Sequence, residues 1–351
     1  MSSRKTVPVI ERPSPARLLE LATAWQRSKI LFEMIRLDLA TLLGPGPRSL
    51  DEISSKVGAD PVAAGRFLDT CVALGLLVRQ GNLIRNSPDT QRYLVRGTPA
   101  YLGDALTRYE RVSQTAAWTE FAHRLRSWRA ESTESPISLE GAPRNGELDG
   151  QHRLSLLAGE ALGRTLDLSA KRRLADLGGG TGAMSIALCE RFPSMKATII
   201  ELPGMVPVAS AYVRESGFPD RIDVREGDFM SDPLPDGCDV VLLANVLSLF
   251  NVKSNRALLG RIFDSLPAGG TLVLSGWMLD DDRPVATLPL LLCMEDIVLG
   301  APDVERSSAD YADWLERAGF ERIDRARYFE PLSYVVGHKL RATHTGHRVT
   351  T

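Results

Sequence analysis

A glycine-rich turn, followed about twenty residues later by an acid, is the first feature of this sequence that could support chemistry. The stretch ADLGGGTGA (175–183) ends a predicted strand and opens a predicted helix, and Gly178, Gly180 and Ala183 satisfy the pattern G-x-G-x-x-[GA]. Glu201 ends the next predicted strand. Glycines let a backbone approach a nucleotide closely, and a carboxylate at this position can accept hydrogen bonds from both ribose hydroxyls. The pattern predicts a nucleotide site, for either a dinucleotide or another adenosine-containing cofactor.

Asp176 helps to separate these two kinds of cofactor. A carboxylate at the mouth of the turn opposes a pyrophosphate at the helix N-terminus, whereas it suits a cofactor that carries an ammonium and a sulfonium. S-adenosylmethionine is such a cofactor, because it contains adenosine and no phosphate. After the third strand, Asp228 could accept from the adenine amino group and Phe229 could pack on its ring. We therefore expect S-adenosylmethionine, although Phe229 could also fill the core and Glu201 could be an exposed loop acid.

Alternating strands and helices, beginning near residue 170, must position these side chains. The strands predicted ahead of the final pair are 173–179, 196–202, 222–228, 238–245 and 270–279. Strands that are apolar on both faces and separated by helices predict a parallel sheet covered by helices on both sides. The final pair, ERIDRARYF and SYVVGHKL, predicts an antiparallel edge. The second half is therefore predicted to be an α/β domain.

The first half, residues 14–150, predicts helices separated by short breaks. Ser49–Glu52 forms a capping-box pattern, a turn follows at 58–61, and a second helix leads into a two-stranded wing at 76–86. Helix, turn, helix and wing make up the winged-helix layout. The second helix offers only Arg66 as a cation, whereas DNA-reading helices present several polar side chains on one face. This helix is therefore expected to pack against a partner, such as a second copy of the chain.

Composition limits the class of protein. A length of 351 residues predicts two domains, and a formal net charge of −2 argues against a nucleic-acid partner. The four cysteines form no CxxC pair, which is neither a zinc pattern nor a disulfide framework, so a cytoplasmic location is expected. The polar N-terminus predicts no signal peptide, and no stretch approaches the ~18 apolar residues of a membrane span. We therefore expect no membrane association.

The chain resembles the class I small-molecule O-methyltransferases, which include caffeate-type plant enzymes and bacterial enzymes of antibiotic and pigment pathways. The segments that carry the resemblance are DLGGGTGAMSIAL, TIIELPGMVPVA, VREGDFMSDPLPDGCDVVLLANVL, LPAGGTLVLSGWMLDDD and DYADWLERAGF. The likeness extends over nearly the whole chain, because the helical front half resembles the dimerisation domain of that family. Positions that match the family's cofactor site are Gly178, Glu201, Asp228 and Phe229, and we assign Asp176, Gly180 and Asn245 to the same site.

The resemblance implies a homodimer with a Rossmann-like, seven-stranded methyltransferase sheet and an N-terminal all-helical winged-helix dimerisation domain. The predicted dimerisation domain spans residues 14–150, and the predicted S-adenosylmethionine-binding domain spans residues 151–341. The ends, residues 1–13 and 342–351, are predicted to be disordered. The implied activity is methylation of a small, aromatic or polyketide-like molecule of secondary metabolism. A homodimer and a small-molecule acceptor are thus the expected partners.

The stretch LANVLSLFN (243–251) lacks the general base of that family. There the fourth strand leads into a histidine and then an aspartate, and in this register Ser248 and Leu249 occupy the two positions. A serine hydroxyl is too weakly basic to take a proton near neutral pH, and a general base typically contributes about 10²–10⁴-fold to the rate. Either the acceptor is an acidic phenol, a carbon or an amine, or a carboxylate elsewhere acts as base. The alternatives are a protein of this fold that transfers no methyl group, and a winged-helix regulator.

Two carboxylates are the candidates for such a base. The segment LLLCMEDIVLG (290–300) matches the helix that lines the acceptor pocket in the family, and Glu295 and Asp296 interrupt its apolar run. Apolar surroundings raise the pKa of a carboxyl group and make the carboxylate a better base. Glu295 and Asp296 are therefore catalytic candidates together with Ser248, although solvated or arginine-paired acids would show the same pattern.

Three further residues are predicted to line the acceptor pocket: His152, Trp277 and Met294. His152 lies near the predicted domain junction and would also fit a surface position. The acidic run 280–282 has no neighbouring histidine, so it predicts a solvated loop and no metal site.

Overall fold

The computed structural model describes residues 14–129, 144–279, 287–301 and 306–340. The predicted disordered ends and the acidic run 280–282 lie outside the described residues. The chain forms two compact units, and the division falls between Val112 and Ser113. The predicted domain boundary at residue 150 lies later, inside a helix of the second unit.

The described part of the first unit contains helices around a small antiparallel sheet. The helices are α1 (Ala16–Arg36), α2 (Leu39–Leu43), α3 (Leu50–Val57), α4 (Pro61–Ala73), α5 (Pro88–Tyr93) and α6 (Gly103–Ser113). The strands are β1 (Arg48–Ser49), β2 (Leu77–Gln80) and β3 (Leu83–Asn86), in the order β1-β3-β2. The pair α3 and α4 followed by the hairpin β2–β3 is the predicted winged-helix layout.

Local capping explains where α3 and α4 begin. The Ser49 side chain accepts a hydrogen bond from the backbone N–H of Glu52, and the Glu52 carboxylate accepts from the N–H of Ser49. Asp60 caps α4 by accepting from the N–H groups of Val62 and Ala63. These caps satisfy N–H groups that the helix itself leaves without partners.

Helix α1 is buried only towards its C-terminal end. Phe32, Met34 and Ile35 are buried, and Met34 and Ile35 belong to the apolar core of the first unit. By contrast, the first half of α1 presents large apolar side chains to solvent, and Leu21 and Trp25 are 65% and 62% exposed.

The second unit contains a seven-stranded sheet in the order β6-β5-β4-β7-β8-β10-β9. Its strands are β4 (Arg173–Leu177), β5 (Lys196–Glu201), β6 (Ile222–Glu226), β7 (Val240–Ala244), β8 (Thr271–Gly276), β9 (Glu321–Phe329) and β10 (Leu332–His338). Neighbours from β6 to β8 are parallel, and β10 is antiparallel to both β8 and β9. The predicted parallel sheet with an antiparallel edge is confirmed.

The second unit also contains helices, and several of them pack against the sheet. The helices are α7 (Ala116–Thr119), α8 (Phe121–Ser127), α9 (Gly146–Thr165), α10 (Ala183–Arg191), α11 (Val206–Glu215), α12 (Val252–Ser265), α13 (Thr287–Leu299) and α14 (Ser308–Ala318). None of the helices in the described ranges is long and apolar enough to cross a membrane.

Alternate residues of the central strands enter two separate apolar cores, one on each face of the sheet. On β7, Val241 and Leu243 belong to one core, whereas Val240 and Leu242 belong to the other. The carboxyl ends of parallel strands meet at one edge of a sheet, and ligands of open α/β sheets bind there, where the strand order reverses. In this sheet that position lies between β4 and β7, next to the glycine turn.

Candidate active site

The glycine turn follows β4 directly and leads into α10. Gly178, Gly180 and Gly182 adopt left-handed backbone conformations, with φ of 68°, 58° and 76°. A side chain at Gly178 would come within 3.2 Å of the Phe229 ring, whereas nothing lies within 4 Å of where one would project at Gly180. The turn therefore needs glycine for its conformation, and at Gly180 it has space beside the backbone.

Glu201 ends β5 and lies against this turn. Its carboxylate accepts hydrogen bonds from the backbone N–H of Gly180 at 2.7 Å and of Leu202 at 2.9 Å. The residue is buried, and burial raises the pKa of the carboxyl group, while the two N–H donors oppose that shift. Because each carboxylate oxygen can accept two hydrogen bonds and accepts one here, Glu201 retains capacity for further donors.

Asp176 lies beneath the turn rather than at its mouth. It is fully buried, and a side chain added at Gly179 would stand 2.7 Å from its carboxyl group. Oδ2 accepts a hydrogen bond from the Ser185 hydroxyl at 2.6 Å, whereas Oδ1 is buried and has no partner among the described residues. Burial raises the pKa of Asp176 to about 6, and the nearby charge of Glu201 adds to this effect. The position differs from the sequence expectation because Asp176 points to the sheet face that α10 covers.

Asp228 and Phe229 follow β6 in an exposed loop. The Asp228 carboxylate accepts hydrogen bonds from the N–H of Met230 and from the hydroxyl of Ser231, both at 2.9 Å, and so organises its own loop. Phe229 is partly buried and meets Phe250 edge to face, with ring centres 5.8 Å apart. The loop thus places an acid and an aromatic ring at the third strand end, as the sequence predicts.

Asn245 follows β7 and has φ of 54°, which is unusual for a residue other than glycine. Its backbone N–H donates to the carbonyl oxygen of Ser275 on β8 at 2.8 Å. Asn245, Ser248 and Tyr311 contribute to the lining of a small cavity of about 10 Å³, which corresponds to one water-sized site. The predicted acceptor end of the sheet therefore contains a polar residue held in a strained conformation.

Ser248 lies in a short 3₁₀ turn, Leu247–Leu249, and is half-buried. Its hydroxyl makes no hydrogen bond with another described residue. Asn255, fully buried on α12, holds the turn by donating from Nδ2 to the carbonyl oxygens of Leu247 at 2.7 Å and Phe250 at 2.9 Å. The geometry shows no base in contact with Ser248 within the described ranges.

His152 lies on α9 against the glycine turn. Its Nδ1 is 2.8 Å from the hydroxyl of Thr181, and its ring stacks on Tyr212 with the ring centres 4.1 Å apart. Burial lowers the pKa of His152 to about 4, and the positive charge of Arg144 lowers it further. The imidazole is therefore neutral near pH 7.

The remaining predicted pocket residues lie on α13 and after β8. Glu295, Asp296 and Met294 are half-buried on α13, which packs against α7 and α8. Trp277 packs at the border of the apolar core that contains Val240 and Leu242. None of these four contributes to the lining of the cavity beside Ser248. Their roles in binding or catalysis stay predictions.

Thr181, Tyr212 and Asn255 are site residues that the sequence did not single out. Asn255 shares the buried face of α12 with Leu258, Leu259 and Ile262, and an asparagine at an apolar position of a helix is a detectable signal. No comparable signal marks Tyr212, because its contact with His152 joins residues that are far apart in sequence. Among the described residues, no group of three histidine, cysteine or acidic side chains could hold a metal ion.

Comparison with protein families gives two matches along the chain. Residues 144–321 match the O-methyltransferase domain, and residues 19–96 match the O-methyltransferase dimerisation domain. The second match covers the α3, α4 and wing region of the first unit.

Individual relatives agree with these matches. The chain is 31% identical over 327 residues to 3-hydroxy-5-methyl-1-naphthoate 3-O-methyltransferase of Streptomyces sahachiroi. The match covers 90% of this chain and 92% of the relative. The chain is also 31% identical over 333 residues to the N,N-dimethyltransferase OxyT of Streptomyces rimosus, covering 91% and 96% of the two chains.

A solved structure extends the likeness to the fold. Human N-acetylserotonin methyltransferase in complex with S-adenosylmethionine superposes with a TM-score of 0.77 at 26% identity, over 95% of this chain and 99% of that chain. These likenesses support a methyltransferase over a regulator or a protein that transfers no methyl group. The chain belongs to the S-adenosylmethionine-dependent small-molecule O-methyltransferase family and is a methyltransferase.

Proposed function

We propose that this enzyme methylates a hydroxyl group of a small aromatic or polyketide-like metabolite. The similarity to a hydroxynaphthoate O-methyltransferase supports this class of acceptor. The observation that carries the proposal is the buried Glu201 carboxylate, which already accepts from the N–H of Gly180 and has capacity left for the hydroxyls of a ribose. When bound, S-adenosylmethionine would bring an electrophilic methyl group on its sulfonium.

The residues at the strand ends fit this cofactor. Glu201 would accept from the ribose hydroxyls, Asp228 from the adenine amino group, and Phe229 would pack on the adenine ring. Gly178 and Gly180 would let the backbone approach the cofactor, and Asn245 would face it from the end of β7. Asp176 would support the turn from below through Ser185, because its carboxylate is fully buried.

Alignment, rather than proton removal, would be the main contribution of this chain to the reaction. Ser248 has no basic partner within the described residues, and correct placement of two reacting groups can by itself account for a large part of a rate acceleration. An acidic phenol fits this site, because it loses its proton near neutral pH without a strong base. Glu295 and Asp296 remain the proposed bases for a less acidic acceptor.

An amine is the second candidate acceptor. Two observations favour it, the absence of an imidazole at position 248 and the 31% identity to an N,N-dimethyltransferase. A neutral amine attacks through its own lone pair and needs no base before the methyl group is transferred.

The test measures S-adenosylhomocysteine formed with matched acceptors, such as a hydroxynaphthoate, its amino analogue and its methyl ether. Turnover of the hydroxyl compound alone is the expected result. Turnover of the amine alone would replace O-methylation by N-methylation. The methyl ether and a reaction without acceptor are the controls. Release of S-adenosylhomocysteine with the ether alone would show methylation of a carbon, and release without any acceptor would show methyl transfer to water; either result would contradict the proposal.

We further propose that two copies associate through the first unit in the cytoplasm. The chain carries the dimerisation domain of the family. The first half of α1 presents Leu18, Leu19, Leu21 and Trp25, each more than 60% exposed. A contiguous apolar surface of this kind marks an interface. The four buried cysteines are free thiols, which supports a reducing compartment.

A further inference from the structure

Three side chains form a stack beside the glycine turn. The rings of His152 and Tyr212 lie 4.1 Å apart and are nearly parallel, with 16° between their planes. The guanidinium of Arg144 lies 4.2 Å from the centre of the Tyr212 ring. Because His152 covers one face of that ring at this distance, Arg144 must occupy the other face. We call this arrangement the Arg144–Tyr212–His152 stack.

The outer end of the stack is held by a hydrogen-bonded network. The Tyr212 hydroxyl donates to Asp149 Oδ1 at 2.5 Å, and Arg144 Nε donates to the same oxygen at 2.8 Å. Arg144 also pairs with Glu215 at 2.5 Å. The network joins α9, which carries Asp149, to α11, which carries Tyr212 and Glu215. Shared charged partners of this kind restrict the orientation of the stacked rings.

At its inner end, the stack contacts the one residue of the glycine turn that is not a glycine. Residues 178–182 read GGGTG, so Thr181 is the one residue of the turn with a side chain. Thr181 is buried, and its hydroxyl lies 2.8 Å from Nδ1 of His152. The glycines on either side of it accept many backbone conformations. A contact through Thr181 therefore selects one conformation of an otherwise permissive segment.

Helix packing fixes the distance between His152 and the turn. Helix α9 lies so close to α10 that a side chain added at Gly159 would stand 2.7 Å from the Ala187 side chain. Since the turn opens α10 and His152 lies on α9, this close packing holds both partners of the hydrogen bond.

Burial, together with nearby cations, keeps the ring of His152 neutral near pH 7. Burial is the largest cause of the lowered pKa, and the cations Arg144 and Arg153 act in the same direction. The acids Asp149 and Glu215 oppose them. A neutral ring keeps one N–H and one lone pair, so Nδ1 can bond to Thr181 in either direction. It also adds no positive charge beside the proposed site of a cationic cofactor.

We propose that His152 is a positioning residue, which holds Thr181 and with it the glycine turn in the conformation that binds the cofactor. Tyr212 and Arg144 orient the imidazole ring. The inference rests on the proposed cofactor site. It places His152 on the cofactor side of the enzyme, whereas the sequence alone placed it in the acceptor pocket.

The chain contains a second histidine–threonine pair that serves as a matched control. Nδ1 of His338 lies 3.0 Å from the hydroxyl of the fully buried Thr271. Thr271 begins β8, so this pair lies at the amino edge of the parallel strands, opposite the glycine turn. Burial lowers the pKa of His338 as well. The two pairs share their chemistry and differ in their distance from the turn.

The experiment is a double-mutant cycle on cofactor-product affinity, measured by calorimetry with S-adenosylhomocysteine. His152→Phe keeps a ring for the stack and removes the hydrogen bond, and Thr181→Val removes the hydroxyl and keeps the shape. We expect each variant to bind about tenfold more weakly, the effect of one lost hydrogen bond. The double variant should also lose about tenfold, rather than a hundredfold, because both changes remove the same contact.

Further variants separate positioning from general destabilisation. Thr181→Ser keeps the hydroxyl and should bind within about twofold of the wild type. His338→Phe and Thr271→Val should show coupled losses of unfolding free energy and leave the affinity unchanged. In steady-state assays, Thr181→Val should raise KM for S-adenosylmethionine while kcat at saturation stays within about twofold.

An unchanged affinity of Thr181→Val, or independent tenfold losses that multiply in the double variant, would overturn the inference. Thr181→Val decides the matter even if His152→Phe does not fold. A wild-type protein that binds no S-adenosylhomocysteine would instead contradict the proposed function. In that case the same double-mutant cycle is measured on the free energy of unfolding and decides whether His152 holds Thr181. An absence of coupling between the two substitutions would refute the inference.

Discussion

Glu201 is buried against the glycine turn, and each of its carboxylate oxygens already accepts one backbone hydrogen bond. We expect Glu201→Ala to weaken binding of S-adenosylhomocysteine by about 1.5–3 kcal/mol, because charge-assisted hydrogen bonds to the ribose are lost. Calorimetry measures the change directly. Glu190→Ala, which removes an exposed acid from α10, is the control and should bind normally. Equal affinities of the Glu201 variant and the wild type would show that the ribose binds elsewhere.

Ser248 is predicted, from the resemblance to the family, to stand where the general base would be. Its hydroxyl is too weakly basic to take a proton from the acceptor near neutral pH, so Ser248→Ala should retain kcat within about tenfold of the wild type, which is below the usual contribution of a general base. Initial rates at saturating concentrations of both substrates test this expectation. A loss of a thousandfold would mean that Ser248 takes part in the chemistry.

Asp176 makes stability depend on pH. Its folded-state pKa of about 6 exceeds the ordinary value of 3.8 for an aspartate. Between these two pH values the folded protein therefore holds a proton that the unfolded chain has released. The wild type therefore loses stability as pH rises from about 4 to about 6. Asp176→Asn removes this loss. The unfolding free energy of the variant minus that of the wild type should therefore be greater at pH 7 than at pH 4, by up to about 3 kcal/mol. Urea denaturation at the two pH values measures the difference, and a constant difference would exclude the buried, protonated acid.

At the scale of elements, the turn after β7 depends on α12. Asn255 donates to two backbone carbonyl oxygens of the segment 247–250. No other helix in the described ranges makes a side-chain hydrogen bond to this segment. Asn255→Ala should lower the free energy of unfolding by about 2 kcal/mol, since two buried hydrogen bonds are lost. It should also lower kcat, because the turn beside the proposed acceptor site is no longer held.

A second variant on α12 distinguishes these two effects. Asn251→Ala removes the N-cap of the same helix and should cost about 1 kcal/mol of stability. It leaves both Asn255 hydrogen bonds in place, so kcat should stay near the wild-type value. If both variants lower kcat equally, the stability of α12, rather than the Asn255 contacts, determines activity.

Elements also explain how far sequence reasoning could go. The strand ends that carry Glu201, Asp228 and Asn245 were predictable, because apolar runs mark buried strands and parallel strands present their carboxyl ends on one edge. The Arg144–Tyr212–His152 stack was not predictable. It joins α9 and α11 with the turn, and its geometry depends on how closely α9 packs on α10.

At the level of the whole protein, the exposed half of α1 is the proposed dimer interface. Burial of its large apolar side chains against a partner would remove their surface from water, which favours association. A variant carrying Leu21→Glu and Trp25→Glu should shift the protein from dimer to monomer in light scattering, because two charges would be buried in the interface. Arg17→Glu changes the charge of the same exposed segment without removing apolar surface, and it should remain dimeric. A dimer that survives both apolar replacements would place the interface elsewhere.

Local patterns in the sequence were enough to predict the order of strands and helices along the chain, the capping box of α3, the glycine turn and the acid at the end of β5. These features depend on local spacing, on hydrophobic periodicity and on backbone conformations that glycine tolerates. Three further features became visible only in the folded chain: Asp176 lies beneath the turn, Asn255 holds the segment around Ser248, and His152 contacts Thr181. Each of these contacts joins residues from different elements, and their geometry follows from helix packing on the sheet, which no local pattern encodes.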